Sequence, residues 1–264
     1  MELDDAQIRE FQEQGFHIAR NIVERADLDE LSEMVDRLFD GELRPEWAYN
    51  GKQPDAFYTF WEPSVKDRTD LPRRERVRLM SWMCYYHPYF WKFACHSGIC
   101  GVASSLFGAG VKIFGDTAFM KPARHGVEAA MHQDTAFWPE LDPKALNVWI
   151  AIDPATIENG CLHVTPGTHH HDIPHYEDPV QRWLLRDEDV DVSRQIPVEL
   201  APGDAIFFDS GLVHRSYPNR SDRSRRSMAP IYVSENVRHV EPWENEYRFK
   251  SIPQAKTMDV AISN

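Results

Sequence analysis

The sequence predicts a mainly β fold with flanking helices: an antiparallel sandwich or barrel fronted by an N-terminal helical layer. Two patterns point that way. Before Gly110 apolar residues recur at helical spacing, whereas after it the chain breaks into short segments rich in β-branched and aromatic residues, split by turn signals. There is no internal repeat or low-complexity tail, and 264 residues suit one domain, 1–264, with a sizeable core.

Asp4 followed by Gln7 is a helix start, Ile8 and Phe11 share a side, and Gly15 supplies the stop. The stretch FHIARNIV then reads as a strand. Leu28, Leu31, Val35 and Leu38 recur at helical spacing and the run ends at Gly41. Arg44–Asp70, with Pro, Gly and many aromatics but no period, reads as irregular. From Pro88 to Phe107 the pattern is helical again, with Pro88 suited to a first turn and a break at Ser97–Gly98. Strands follow at VKIFGDTAFMK, LNVWIAID, CLHVTP, QIPVEL, DAIFFD, LVHRSY and RSMAPIYVS, separated by ENG, TPGT, APGD and NRSDRS.

A formal net charge of −13 argues against a general nucleic-acid binder, which needs a basic surface to displace counterions. It leaves room for an anionic small-molecule substrate in a local basic pocket. No apolar run reaches the length of a membrane span, and CHSGICGVASSLFGAGV is too short and too polar for one. The opening MELDDAQIREF is acidic and helical in pattern and does not resemble a signal peptide. Cys84, Cys95, Cys100 and Cys161 lack both secretory context and zinc-knuckle spacing, so they read as reduced, mostly buried thiols of a cytoplasmic protein. Oligomeric state leaves no mark in the sequence.

The stretch AAMHQDTAFW carries the chemistry. In an extended chain residues i and i+2 share a face, so His132 and Asp134 can converge on one ion while Gln133 points away. Polar surface strands alternate in the same way, so the pair needs a third ligand. His214, in PGDAIFFDSGLVHRSYPN on another predicted strand, supplies one. Two histidines and one carboxylate on one face leave coordination positions open, which suits a non-haem Fe(II) oxygenase, although zinc hydrolases use similar donors. Beyond a polar turn stand Arg225 and Arg226, either of which could grip the distal carboxylate of 2-oxoglutarate through a planar fork. Ser216, two residues after His214 and on its face, could add a hydroxyl.

Together MHQD, NGCLHVTPGTHH and PGDAIFFDSGLVHRSYPNRSDRSRR resemble the phytanoyl-CoA dioxygenase family of Fe(II)/2-oxoglutarate oxygenases. LDDAQIREFQEQGFHIARNIV and the helix after it also resemble how such proteins begin, and the likeness is weakest from Arg44 to Tyr86. It implies a double-stranded β-helix (jelly-roll, cupin-like) core over 111–235, with 1–110 as helical support and variable segment. It implies iron held by His132, Asp134 and His214, with Arg225 rather than Arg226 as the 2-oxoglutarate clamp. Ser216 would help that clamp and Trp149 would line the pocket. The implied reaction is hydroxylation of a small molecule by dioxygen, with 2-oxoglutarate decarboxylated to succinate and CO2. Related halogenases lack the carboxylate ligand, so Asp134 favours hydroxylation. A cupin-like metal-dependent hydrolase or isomerase is the competing reading; such a site has no need of Arg225 or Ser216. A non-catalytic jelly roll would be expected to have lost a ligand.

The other motifs have plainer explanations. THHHDIPH, with His169, His170, His171 and His175, follows a Pro-Gly turn and reads as an exposed loop; His163 reads as a satisfied wall residue. LPRRERVR, with Arg73, Arg74, Arg76 and Arg78, reads as a solvated charged face. The aromatics of AFYTFW and WMCYYHPYFWKF suit packing between helices and barrel. Phe137 and Trp138, close behind Asp134, and Lys121 are the candidates for a substrate pocket.

Overall fold

The computed structural model describes residues 2–49, 51–139, 141–239 and 250–251. Helix α1 (Asp5–Gln14) starts at Asp4, whose carboxylate accepts from the Ala6 and Gln7 amides while the Gln7 side chain accepts from the Asp4 amide. Gly15 ends it at φ 84°. Helix α2 (Arg25–Asp40) buries Leu28, Leu31, Val35, Leu38 and Phe39 and stops at Gly41. After the short α3 (Arg73–Arg76) and α4 (Met83–Tyr86) come α5 (Pro88–Ala94) and α6 (Ser97–Phe107). The break between α5 and α6 falls at Cys95–His96, just ahead of the predicted Ser97–Gly98. The His96 ring accepts from the Ile99 amide at 3.4 Å and caps α6, so Ser97 and Gly98 lie inside its first turn.

The strands are β1 (Phe16–Ala19), β2 (Tyr58–Trp61), β3 (Val77–Ser81), β4 (Val111–Lys121), β5 (Ala129–His132), β6 (Leu141–Asp142), β7 (Leu146–Ala151) and β8 (Leu162–Val164). They continue as β9 (Tyr176–Asp178), β10 (Arg182–Leu184), β11 (Ile196–Val198), β12 (Ala205–Asp209), β13 (His214–Ser216), β14 (Arg225–Ser234), β15 (Arg238–His239) and β16 (Lys250–Ser251). The large sheet runs β1-β12-β7-β14-β4-β3-β2, with β16 also on β4, and the small sheet runs β11-β8-β13-β5. The chain switches sheets from β4 to β5, β5 to β7, β7 to β8, β11 to β12, β12 to β13 and β13 to β14, which winds the expected jelly roll. Two ribbons, β9–β10 and β6–β15, lie outside these sheets.

Alternation along the strands gives the large sheet two different faces. Its outer face, including Met80, Ala118, Met120, Val148, Ile150, Phe207 and Met228, packs on the buried sides of α2, α5 and α6. Its inner face, including Trp149, Ala151, Ile206, Phe208 and Ala229, packs on Leu162, Val164, Val198 and Leu212. The site lies between the two sheets.

Two sequence expectations need correction here. Arg44–Asp70 is not wholly irregular, because Tyr58–Trp61 forms the edge strand β2 on β3. Four residues with exposed positions leave no period to read. Nor is LPRRERVR simply solvated. Arg74 pairs with Asp40 and Asp36, Arg73 donates to the Leu38 and Phe39 carbonyls at the end of α2, and Arg78 turns inward. None of the four cysteines forms a disulfide; Cys100 is part-exposed and the others are buried. Among the described residues no helix is long and apolar enough to cross a membrane.

Candidate metal centre and carboxylate pocket

His132 ends β5 and His214 opens β13, and the pairing of these strands sets the two residues directly opposite one another. Their rings are 4.3 Å apart between centroids. Asp134 comes from a different kind of backbone than expected. It does not continue the strand; it begins a 3-10 turn over Asp134–Ala136. The Thr135 amide bonds to the Ser210 carbonyl at 3.0 Å and the Ala136 amide to the Gln133 carbonyl at 3.2 Å, which rolls the chain off β5. The carboxylate still reaches both rings, at 3.4 Å from His132 Nε2 and 3.9 Å from His214 Nε2. One potential ligand atom from each residue lies within 4.8 Å of the others.

Hydrogen bonding fixes both tautomers. His132 Nδ1 lies 2.7 Å from the Ala130 carbonyl and His214 Nδ1 lies 2.9 Å from the Leu212 carbonyl. A carbonyl only accepts, so each Nδ1 carries the hydrogen and each Nε2 turns a lone pair toward Asp134. Burial, reinforced by the His132 charge, pushes the His214 ring down to about 4. For Asp134 burial alone would favour the neutral acid. His214, His132 and the Asn147 amide outweigh it and hold the carboxylate below its ordinary range. Asn147 Nδ2 donates to Asp134 Oδ2 at 2.9 Å. Two imidazole Nε2 atoms facing one oriented carboxylate make a donor set suited to a divalent cation, whose binding displaces any proton they carry.

Gln133, between the two ligands, is fully buried. Its amide nitrogen donates to the carbonyls of His171 (2.8 Å) and Gly211 (2.6 Å), and its oxygen accepts from the Ile173 amide at 3.0 Å. The Gln133 backbone amide donates to His175 Nε2 at 2.9 Å. The THHHDIPH segment is therefore more than an exposed loop: His175 is tied under the site, and His169 is buried with Nε2 3.1 Å from the Gln12 carbonyl. His163 is buried beside the Cys161 carbonyl, as a wall residue should be.

Deeper between the sheets lies a cationic pocket. Arg225, at the start of β14, is 3% exposed; its guanidinium lies 4.9 Å from the Trp149 ring centroid and donates to the Gly160 carbonyl. Its Nε, like Ser227 Oγ on the same face, is buried with no hydrogen-bond partner among the described residues, an arrangement that awaits an acceptor. Lys121 is the cross-strand neighbour of Arg225, and its ammonium donates to Ser216 Oγ at 2.8 Å. Burial, then the Arg225 charge, lowers the Lys121 amine to about 6. Arg226 points the other way, into Asp153 and Asp36. Of the two pocket aromatics, Phe137 stands edge-on to His132 at 6.0 Å. Trp138 packs on Phe114 at 5.0 Å in a separate apolar cluster.

Asn147, Gln133 and His175 were missed by sequence reasoning. Only Asn147 left a signal: it is the one polar residue in LNVWIA, two positions from Trp149 and so on the same face.

The family model for phytanoyl-CoA dioxygenase (PhyH) matches residues 11–227. The chain belongs to the phytanoyl-CoA dioxygenase family. Relatives include phytanoyl-CoA dioxygenase 1 of Oryza sativa subsp. japonica, 25% identical over 86% of this chain and 88% of the relative. Another is 2-aminoethylphosphonate dioxygenase of uncultured bacterium HF130_AEPn_1, 25% identical over 95% of this chain and 89% of the relative. Among solved structures, EctD from S. alaskensis with 2-oxoglutarate and 5-hydroxyectoine superposes with a TM-score of 0.70, at 20% identity, covering 91% of this chain and 79% of that one. The carbocyclase SnoK from nogalamycin biosynthesis gives 0.67 at 18% identity, covering 95% and 97%. These structural likenesses establish that this member of the phytanoyl-CoA dioxygenase family shares their fold.

Proposed function

We propose that this protein is an Fe(II)- and 2-oxoglutarate-dependent oxygenase that hydroxylates a small molecule. His132, Asp134 and His214 would hold the iron. The observation that carries the reading is the pairing of a ready three-ligand site on the small sheet with a buried guanidinium on β14 of the facing sheet, which has no carboxylate partner among the described residues. Iron, 2-oxoglutarate and dioxygen together supply the oxidising chemistry, with succinate and CO2 as co-products of hydroxylation.

The chain's own groups do the positioning. The Ala130 and Leu212 carbonyls hold the Nδ1–H of both rings and so aim each Nε2 at the metal position, and Asn147 holds one carboxylate oxygen of Asp134 in place. Arg225 receives the distal carboxylate of 2-oxoglutarate, with its fork braced over Trp149. Ser216 and Lys121 stand beside that carboxylate. Lys121 is buried with its amine on Ser216 Oγ, and an anion beside it offsets the desolvation that lowers that amine. Phe137 screens the His132 side of the site. A cupin-like hydrolase leaves Arg225 without a role.

The test is anaerobic titration of the metal-free protein with Fe(II) and 2-oxoglutarate, following the weak visible charge-transfer band of the chelate, with Arg225→Ala alongside. A band in wild type that weakens in the variant supports cofactor, co-substrate and clamp together. Iron binding without a band would replace this reading with the hydrolase one. Product analysis then separates hydroxylation from ring closure or epimerisation, the reactions named for SnoK and for SnoN, a second structural neighbour.

A further inference from the structure

The path of each main sheet ends in two edge strands, and three of these four edges give little to a further strand. On the small sheet β11 carries Pro197 at its centre. The other small-sheet edge, β5, is tied down: the Ala130 amide donates to Gln181 Oε1 at 2.9 Å and the Met131 carbonyl accepts from the Leu185 amide at 2.8 Å. On the large sheet none of the four residues of β1 is exposed. The fourth edge, β2, lacks all of these protections. Tyr58–Trp61 holds no proline and no charged residue, and Tyr58 and Phe60 are 55% exposed and Trp61 41%. Three aromatic rings left in water on one short edge strand are apolar surface awaiting a cover.

The backbone shows which groups that edge presents. The Glu62 amide donates to the Arg76 carbonyl at 2.7 Å, so Glu62 faces β3. Alternation along β2 turns the backbone groups of Phe60 and Tyr58 the same way and those of Thr59 and Trp61 outward. The slip in this ladder puts its extra residue on β3 and leaves the alternation of β2 intact. A sheet continued antiparallel across a perpendicular two-fold axis keeps each face on its own side, so opposed residues lie an even number apart in sequence. Within β2 the axis then falls at Thr59 or at Phe60. At Phe60 it would oppose Tyr58 with the partner's Glu62, a buried carboxylate, and need backbone groups already turned to β3. At Thr59 it sets the outward amide and carbonyl against their own copies and puts Tyr58 opposite the partner's Phe60, twice.

We propose that β2 is a self-pairing edge: two copies of this chain join antiparallel through Tyr58–Trp61, about a two-fold axis at Thr59, and make one continuous sheet. Facing aromatic pairs and a threonine pair are combinations that stabilise such a ladder. Charge fits the same occupant. Asp55 is exposed at the bend ahead of β2, and antiparallel pairing carries it past the partner's Trp61. In each copy Arg76 lies over the Trp61 ring at 5.5 Å. Its Nη1 donates to the Lys66 carbonyl at 3.5 Å, and its Nε is buried with no hydrogen-bond partner among the described residues. Each copy thus brings a carboxylate to the other's guanidinium. Contact between two four-residue strands is small for an interface, so the association is reversible and concentration-dependent.

The test is sedimentation equilibrium of the full chain under reducing conditions, over a series from about 1 to 100 μM. The mass should rise with concentration from that of one chain toward that of two. Thr59→Pro removes an amide that faces away from β3, so the chain keeps its own ladder while the dimer loses its central bonds. Its mass should stay that of one chain, with a cooperative melt. Should Thr59→Pro fail to fold, Phe60→Lys decides in its place: it alters an exposed side chain, sets a charge opposite the partner's Tyr58, and should weaken association by about tenfold or more. Mild oxidation reads the register. Thr59→Cys, opposite its own copy, should form a covalent dimer that wild type and Phe60→Cys do not. A single-chain mass throughout the series overturns the proposal and leaves the edge to a strand of another protein. A folded Thr59→Pro or Phe60→Lys chain that dimerises as wild type does also overturns it, by placing the contact elsewhere on the surface. Crosslinking through Phe60→Cys but not Thr59→Cys does the same for the axis at Thr59.

Discussion

Arg226 commits its fork to Asp153 and reaches Asp36 on α2, whereas Arg225, one residue earlier, lies under Trp149 with Nε unpartnered among the described residues. Adjacent strand residues face opposite ways, so one closes the helical layer and the other enters the cleft. The sequence shows two arginines and cannot say which is which; the family offset picks Arg225, and the burial and partners explain the choice physically. Arg226→Ala should destabilise the protein by about 1–3 kcal/mol, since two partly buried carboxylates lose their cation, and a lowered urea midpoint would show it. Arg225→Ala should leave that midpoint nearly unchanged, because it removes an uncompensated buried charge. Asn147→Leu should weaken metal affinity by about 10- to 100-fold, measured by competition with a chelating indicator, because Asp134 loses its brace.

Gly15 shows how α1 and the site loops are joined. It caps α1 at φ 84°, and a Cβ there would come within 2.5 Å of His169 Nδ1. Gly15→Ala therefore meets both a left-handed backbone and a collision, and should cost about 2–3 kcal/mol of unfolding free energy in denaturant titrations. Caps of this kind are what made α1 and α2 legible: Asp4, Gln7, Gly15 and Gly41 announce their ends in the sequence. The long strands after Gly110 were equally readable, because VKIFGDTAFMK and RSMAPIYVS have enough length for composition to speak. By contrast, β2, β3, α3 and α4 are four or five residues each and owe their form to neighbours. A tertiary ladder on β4, not local preference, makes Val77–Ser81 a strand.

Well away from the cleft the fold buries a carboxyl, Asp116 on β4, whose oxygens accept from the Cys84 amide at 3.1 Å. Burial raises this carboxyl from 3.8 to about 7. Below 3.8 folded and unfolded chains both hold the proton. Between 3.8 and about 7 the folded chain keeps a proton that the unfolded chain has released, so this contribution to stability falls as pH rises through that window and then levels off. Asp116→Asn, which keeps an acceptor for Cys84, should flatten the dependence of melting temperature on pH between 4 and 7. What the sequence revealed of the site follows the same division between local and global. HxD, the distal histidine and the arginine pair could be picked out because each is a local pattern. Asp134 leaving the strand, Gln133 under the site and Arg78 turning inward from β3 depend on how distant segments register, which no local pattern records.

That His132 and His214 meet as cross-strand partners has a consequence for how this protein can change. Their encounter is written in a ladder, not in the course of the long excursion from Gly167 to Gln195 between them. Past His175, which is tied under the site, that excursion can lengthen, shorten or be rebuilt around a new molecule, and the imidazoles will still face each other. The vulnerable point is small: delete one residue from Leu212–Val213 and Arg215 takes the place of His214, the whole strand turning inside out. Innovation in the loops and fidelity at the metal are thus assigned to different parts of the backbone.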